Sequence, residues 1–443
     1  MNAASQQPGD AQQRPATGVC VVGAGSSGLA VVRWLAELGI PCRCFERQPA
    51  LGGNWRYGSP ASSVCRSTHL ISSKRLTQYR DFPMPAEWPQ YPSHALALEY
   101  LERYAHAFGL HQHIAYGTGI ERVCRLPDGG WGVTPAGGQQ QRFAALVIAN
   151  GHNHAPRLPA WAGRFTGEGV HSGAYRTPDM LAGKRVLVVG GGNSGCDIAV
   201  ESAQHASRTV LSLRRGYHLL PKFWRGVPID VVGEAMLRWR MPLAVRRQLA
   251  RLVAYLMMGD PRTLGIPKPD HKLFESHPVI NSQLMYALAH GDIAVAPDVQ
   301  QVDGQRITFA DGRSETFDLV VYATGFEITA PFVDAQELNW RGGRPDLYLN
   351  VFHPLHDDLF VAGLIQPDSG QWGLVDRQAE LIARYLHGLH AERPAATRFR
   401  DRKHARRDDL KSPVKYLDSP RHLLEVEHHS YARRLEREIQ KLR

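Results

Sequence analysis

The sequence predicts an α/β fold with two Rossmann-like units, one threaded into the other, and three observations carry that reading. A strand, a glycine-rich turn, a helix and a second strand follow one another from Gly18 to Glu46, and the same order recurs from Lys184 to Arg214. Two later apolar runs, Phe143 to Ala149 and Phe317 to Ala323, read as strands that return the chain to an existing sheet. The chain of 443 residues also exceeds the size at which one core usually splits into several.

Taken in order, residues 1–17 are rich in Ala, Gln, Pro and Gly and read as a disordered tail without the apolar core of a signal peptide. Gly18 to Val22 suits a short buried strand, Ser27 to Leu38 has helical spacing ending at Gly39, and Cys42 to Glu46 is the next strand. Turns at Asp128-Gly129-Gly130 and Gly137-Gly138 make Ile120 to Asn150 a small antiparallel meander. Late in the chain, Ile307 to Phe309, the turn Asp311-Gly312 and Phe317 to Ala323 lead into Thr324-Gly325, where the first unit is expected to resume. The expected boundaries are therefore 18–176 for the first unit, 177–306 for the second with a helical insert, and 307–443 for the rest of the first with C-terminal helices. Within the insert, Tyr217 to Leu273, the apolar run Leu249 to Met258 is too short to span a bilayer and reads as an amphipathic helix. With Phe223, Trp224 and Trp239 it would form an apolar wall over a cleft, or else the core of its own domain.

A hydrophobic fraction of 43% and a charged fraction of 21% describe an ordinary globular chain. The net charge of +10 is spread along the sequence apart from Arg398 to Arg407 and the last dozen residues, which argues against a nucleic-acid patch. Six cysteines, with only Cys42 and Cys44 close together, give neither a disulfide framework nor a zinc-ribbon spacing. A cytoplasmic protein with reduced thiols and no membrane anchor is the expectation.

The first turn, GAGSSG, sets Gly23, Gly25 and Gly28 in the spacing that lets backbone approach a pyrophosphate, with Ser26 and Ser27 opening the helix whose free N–H groups attract phosphate. Glu46 closes the second strand 18 positions after Gly28, placed to accept hydrogen bonds from a ribose with free hydroxyls, and Arg47 follows it. The second turn, GGGNSG, repeats the spacing with Gly190, Gly192 and Gly195 around Asn193 and Ser194. Its second strand ends in Arg214-Arg215 instead of an acid, which favours the 2′-phosphate of NADPH; the alternative is that both arginines face solvent. Two dinucleotides, one of them NADPH, imply hydride transfer into a flavin, so the first site is assigned to FAD. Gly53, Asn54 and Trp55, within GGNW, read as backbone and indole beside that cofactor, or as a plain turn with a core tryptophan.

These motifs resemble the flavin-containing monooxygenases. The stretch Phe165-Thr-Gly167-Glu-Gly-Val-His171-Ser-Gly-Ala-Tyr175 matches that family's FxGxxxHxxxY fingerprint, and VLVVGGGNSGCDIAVE, DLVVYATGF, LFVAGLIQP and HKLFESHPVINSQL are similar to family sequence. The resemblance implies that NADPH reduces FAD, that oxygen adds to the flavin C4a position as a (hydro)peroxide, and that one oxygen atom passes to a nucleophilic N or S of a small organic substrate, with C as the alternative acceptor. It further places Ile120, Gly151, Tyr175, Thr324, Gly325 and Gln366 at the cofactors and implies a homodimer. Ile71 stands where the family has an asparagine three residues before Lys74, and His69, Ser72 and Ser73 are the candidate catalytic substitutes, each with packing as the alternative. Two other outcomes stay open: Baeyer–Villiger oxidation of ketones, whose enzymes usually carry tryptophan at the Tyr175 position, and an NADPH oxidase that releases hydrogen peroxide. His152 and His154 lack a third ligand at suitable spacing, so no metal is expected, and Cys196 reads as a small buried hydrophobe.

Overall fold

Val19–Val22 is apolar at every position, as a strand covered on both faces must be, and it forms the centre of a five-stranded sheet. The computed structural model describes residues 17–406, 410, 414–417 and 422–443; residues 1–16 of the expected tail and Arg407 of the basic cluster lie outside them. In the first sheet the strands run in the order Leu359–Val361, Ala145–Ile148, Val19–Val22, Cys42–Phe45 and Ile114–Ala115, with every neighbouring pair parallel. The second sheet is Glu168–His171, Leu319–Tyr322, Arg185–Val189, Arg208–Ser212 and Ile293–Ala296, again parallel throughout.

The two sheets match position by position, and the match extends further than the glycine turns. An antiparallel meander, Ile120–Arg125, Trp131–Pro135 and Gln141–Phe143, precedes the strand Ala145–Ile148. A second meander, Val299–Asp303, Arg306–Phe309 and Ser314–Thr316, precedes Leu319–Tyr322. Leu319–Tyr322 pairs with Arg185–Val189 and with Glu168–His171, so both flanking strands belong to the second sheet. The boundaries expected at 176/177 and 306/307 are corrected accordingly: the chain leaves the first sheet after Ile148 and returns after Tyr322. A meander followed by a return strand closes the unit that it follows, because the return strand lies beside that unit's own first strand.

Ser26–Glu37 buries Leu29, Val31, Val32 and Leu35 completely, each side chain contributing about 1.5–3 kcal/mol relative to exposure. It packs against Trp372–His390, whose buried Asp376 accepts hydrogen bonds from Trp34 Nε1 at 2.7 Å and Arg80 Nε at 2.5 Å. The insert holds a short hairpin, Phe223–Trp224 with Val227–Pro228, and the helices Ile229–Arg238 and Leu243–Met258. On the second helix Leu252, Tyr255 and Leu256 are 52%, 64% and 63% exposed and Trp239 before it is 78% exposed, so these residues do not form a core for the insert. No described helix is long and apolar enough to cross a membrane.

Candidate active site

The glycines of the first turn serve three different ends. Gly23 has φ +101°, a region that side-chain-bearing residues avoid, and a Cβ on Gly28 would stand 1.8 Å from the Gly23 carbonyl oxygen. A Cβ on Gly25 would meet only the Cα of Gly53, at 3.8 Å, so that position borders an open groove. The helix beginning at Ser26 has no side-chain cap and no acid in its first turn, leaving the amides of Ser26, Ser27 and Gly28 to an anion. Glu46 is buried, its Oε2 accepting the Ala24 N–H at 2.7 Å and its Oε1 the Gln48 N–H at 2.9 Å. The carboxylate thus ties the turn to the second strand, and its remaining lone pairs are those a ribose would use. Arg47 is exposed beside Gly119, and Ile120 opens the meander next to it.

Several loops converge on this turn. Gly52 N–H donates to the Ala24 carbonyl at 3.0 Å, and a Cβ on Gly53 would lie 3.1 Å from the Gly25 Cα. Trp55 meets Trp372 edge-on at 5.7 Å. The Asn54 side chain is committed to its own loop, accepting from Ser63 N at 2.7 Å and from Ser63 Oγ at 2.6 Å. Tyr79 Oη donates to the Ser26 carbonyl at 2.6 Å, and Gln371 Nε2 donates to the carbonyls of Gly363 and Ile365. A Cβ on Gly363 would stand 2.0 Å from Ser27 Oγ, so the strand end leading to Gln366 lies directly on the helix start. Nothing in the sequence singled out Tyr79 or Gln371; both act through contacts with residues distant in the chain.

The segment before Lys74 is held mostly by itself. His69 is exposed and donates from Nδ1 to the Ser67 carbonyl at 2.8 Å; Ile71 is 39% exposed. Ser72 Oγ shares a hydrogen bond of 2.8 Å with Thr77 Oγ1. Ser73 is fully buried, and its backbone N–H donates to Asp230 Oδ2 at 2.7 Å. Lys74 Nζ is surrounded by the carbonyls of Pro85, Ala86 and Trp88.

The second turn repeats the first. Gly190 has φ +112°, and a Cβ on Gly195 would stand 1.9 Å from the Gly190 carbonyl oxygen. The helix Asn193–His205, preceded by Gly192, has no side-chain cap and no acid in its first turn. Asn193 Oδ1 accepts the Ile280 N–H at 3.2 Å, Ser194 is exposed, and Cys196 is buried in the core behind the turn. Arg214 is exposed and Arg215 half-buried, and the charge of Arg215 acts on the Asp270 carboxylate.

Between the two sheets the chain crosses at Gly151 and at Thr324-Gly325. Thr324 Oγ1 donates to the Arg157 carbonyl at 2.5 Å. His171 Nδ1 accepts the Gly173 N–H at 3.0 Å, which requires a neutral ring, so its Nε2 donates to the Gly325 carbonyl at 2.9 Å; burial lowers its pKa and favours that state. Tyr175 is fully buried and donates to Glu201 at 2.5 Å, which places it in the core of the second unit and not on a cofactor-facing surface. Burial, with His154 beside it, pushes His152 down to about 4, and its Nδ1 has no protein partner. His154 Nε2 lies 3.0 Å from Thr329 Oγ1. Among the described residues no group of three His, Cys, Asp or Glu is placed to hold a metal.

The residues present fit two dinucleotides. Each turn offers uncapped amides at a helix start, one strand end carries a carboxylate suited to a free ribose, and the other carries two guanidinium groups suited to a 2′-phosphate. Comparison with known proteins agrees with this. Residues 16–440 match the family model described as flavin-binding monooxygenase-like. Flavin-containing monooxygenase 1 of Canis lupus familiaris is 32% identical over 84% of this chain and 74% of its own length. Flavin-containing monooxygenase 2 of Homo sapiens is 31% identical over 84% and 73%. Among solved structures, the S-allyl-L-cysteine S-oxygenase of Allium sativum superposes with a TM-score of 0.66 at 20% identity, covering 95% of this chain and 88% of that one. The OTEMO complex with FAD and NADP gives 0.69 at 18% identity, covering 96% and 98%.

Proposed function

The chain belongs to the flavin-binding monooxygenase-like family, and from that premise we propose that it transfers one atom of dioxygen to a nucleophilic nitrogen or sulfur of a small organic substrate. It is an NADPH-dependent flavin monooxygenase; NADPH supplies two electrons, and the second oxygen atom leaves as water. The observation that carries the reading is the pair of uncapped glycine turns with opposite chemistry at their strand ends, Glu46 at one and Arg214-Arg215 at the other.

FAD, when bound, supplies electron transfer and oxygen activation. The chain's own residues bind, orient and enclose. The amides of Ser26, Ser27 and Gly28 would hold the FAD pyrophosphate, with Glu46 on its ribose. The amides of Asn193, Ser194 and Gly195 would hold that of NADPH, with Arg214 and Arg215 on the 2′-phosphate. His171, neutral and bonded to Gly325, fixes the crossing against the second sheet, so the relative placement of the turns rests on a hydrogen bond that does not depend on a charged imidazole. Oxygen transfer to a lone pair needs positioning and exclusion of water, and no acid–base pair is assigned to it.

Products from a panel of amines, sulfides and ketones, counted against NADPH consumed, test the reading. Oxides of the amines or sulfides are expected, and turnover of ketones alone would replace it with Baeyer–Villiger oxidation. A second reading, an NADPH oxidase releasing hydrogen peroxide, is favoured by Ile71, which cannot hydrogen-bond. Peroxide equal to NADPH consumed with every substrate would establish it.

A further inference from the structure

The Ile71 side chain offers no polar group, so the loop from His69 to Thr77 is held by other anchors. Most of its anchors are local: Leu70 N–H to the Pro92 carbonyl and Lys74 N–H to that of Gln90, both at 2.8 Å, and Thr77 Oγ1 to the Ser73 carbonyl at 2.9 Å. Ser73 N–H is different. It donates to Asp230 Oδ2 at 2.7 Å, a side chain 157 positions later on the insert of the other unit.

We infer that Asp230 is a positioning residue for the monooxygenase reaction, holding the flavin-side loop in place from the insert of the NADPH-side unit. The inference rests on the proposed FAD site at the first turn. Asp230 is itself held firmly. It lies in the first turn of Ile229–Arg238, where a carboxylate is favoured by the helix dipole, and its Oδ1 accepts the Val231 N–H at 2.9 Å. The insert is fixed on either side of it, by Tyr91 Oη donating to the Lys222 carbonyl at 2.7 Å and by Glu234 facing His429 at 3.2 Å. From Ser73 the effect runs a short way. Ser73 directly precedes the short helix Lys74–Thr77, and Tyr79 just beyond it donates to the Ser26 carbonyl at the start of the phosphate-binding helix. Release of Ser73 therefore loosens the wall of the groove beside Gly25, and water enters there.

The holoenzyme variants Asp230→Ala and Asp230→Asn test this, because asparagine keeps an acceptor for the Ser73 N–H and alanine does not. Asp230→Ala is expected to increase iodide quenching of the bound flavin's fluorescence severalfold, to speed FAD loss about tenfold, as expected for losing a hydrogen bond to a charged group, and to raise the peroxide released per NADPH. Asp230→Asn is expected to restore all three. Ser73→Pro deletes the donor itself at a φ of −62° that proline accepts, and is expected to behave like Asp230→Ala even if that variant folds poorly. Quenching and FAD loss unchanged in Asp230→Ala and Ser73→Pro, or an Asp230→Asn variant as impaired as the alanine, would overturn the inference. A wild-type enzyme that makes no oxygenated product would instead count against the proposed function, since quenching and FAD loss are read without turnover.

Discussion

Gly25 and Gly28 sit three residues apart and predict opposite phenotypes. A Cβ at Gly28 collides with backbone at 1.8 Å, and no flexible side chain is there to yield, so Gly28→Ala is expected to destabilise the apoprotein by about 3 kcal/mol or more. A Cβ at Gly25 fits the protein, with its nearest neighbour at 3.8 Å, but occupies the groove. Gly25→Ala is therefore expected to leave the apoprotein's Tm unchanged while weakening FAD binding at least tenfold, which thermal melts and flavin titration of the apoprotein together would check. At the second site, Arg214→Ala with Arg215→Ala is expected to raise the KM for NADPH by ten- to a hundredfold and to leave that for NADH nearly unchanged, the loss expected for charge-assisted hydrogen bonds. Equal losses with both nucleotides would show that these arginines face solvent. The glycine and arginine positions were legible in the sequence because they depend on local spacing. The fate of Asn54 and Tyr175 was not: Ser63 occupies the one and Glu201 the other, and neither partner follows from spacing.

Helix limits were also legible, since Ser26–Glu37 and the expected Ser27 to Leu38 differ by one residue at each end. The direction a helix faces was less so. Leu243–Met258 is a helix as expected, yet Leu252, Tyr255 and Leu256 turn to solvent, while Arg246 is buried near Glu427 at 3.9 Å. The neighbouring helix Ile229–Arg238 is fastened by Glu234, whose carboxyl is held down to about 2 by His428 at 3.7 Å and then by His429 at 3.2 Å. Because its folded pKa lies below the ordinary 4.5, this carboxylate contributes stability that is present above pH 4.5 and is lost as the pH falls toward 2. Glu234→Gln is thus expected to lower Tm at pH 5.5, and the gap from wild type should narrow steadily below pH 4.5. A constant gap across that range would assign the loss to packing. An acid just after Pro228 signals a helix start, but the sequence holds nothing to show that Asp230 meets Ser73 or that Glu234 meets two C-terminal histidines.

At the level of the whole molecule, four strands of each sheet share one order and only the outer strand differs, Leu359–Val361 following the others of its sheet and Glu168–His171 preceding them, and the duplication explains where the sequence misled. The meander and return strand were visible in both units, yet Leu319–Tyr322 was assigned to the first sheet because it immediately precedes the crossing at Thr324-Gly325. Its pairing partner, Arg185–Val189, lies 133 positions back in register, and parallel pairing at that separation leaves no local mark. The consequence is functional, for the crossings join the C-terminal ends of strands in the two sheets, where the glycine turns also lie. The proposed function is a reaction shared by two cofactors across that junction. The most direct measurement is a balance sheet of one reaction in ¹⁸O₂: NADPH consumed, hydrogen peroxide released, and label in the product of a tertiary amine or a thioether. One ¹⁸O atom is expected in the product for each NADPH consumed by the coupled fraction, with peroxide making up the remainder. Product without label, or peroxide equal to all the NADPH consumed, would contradict it.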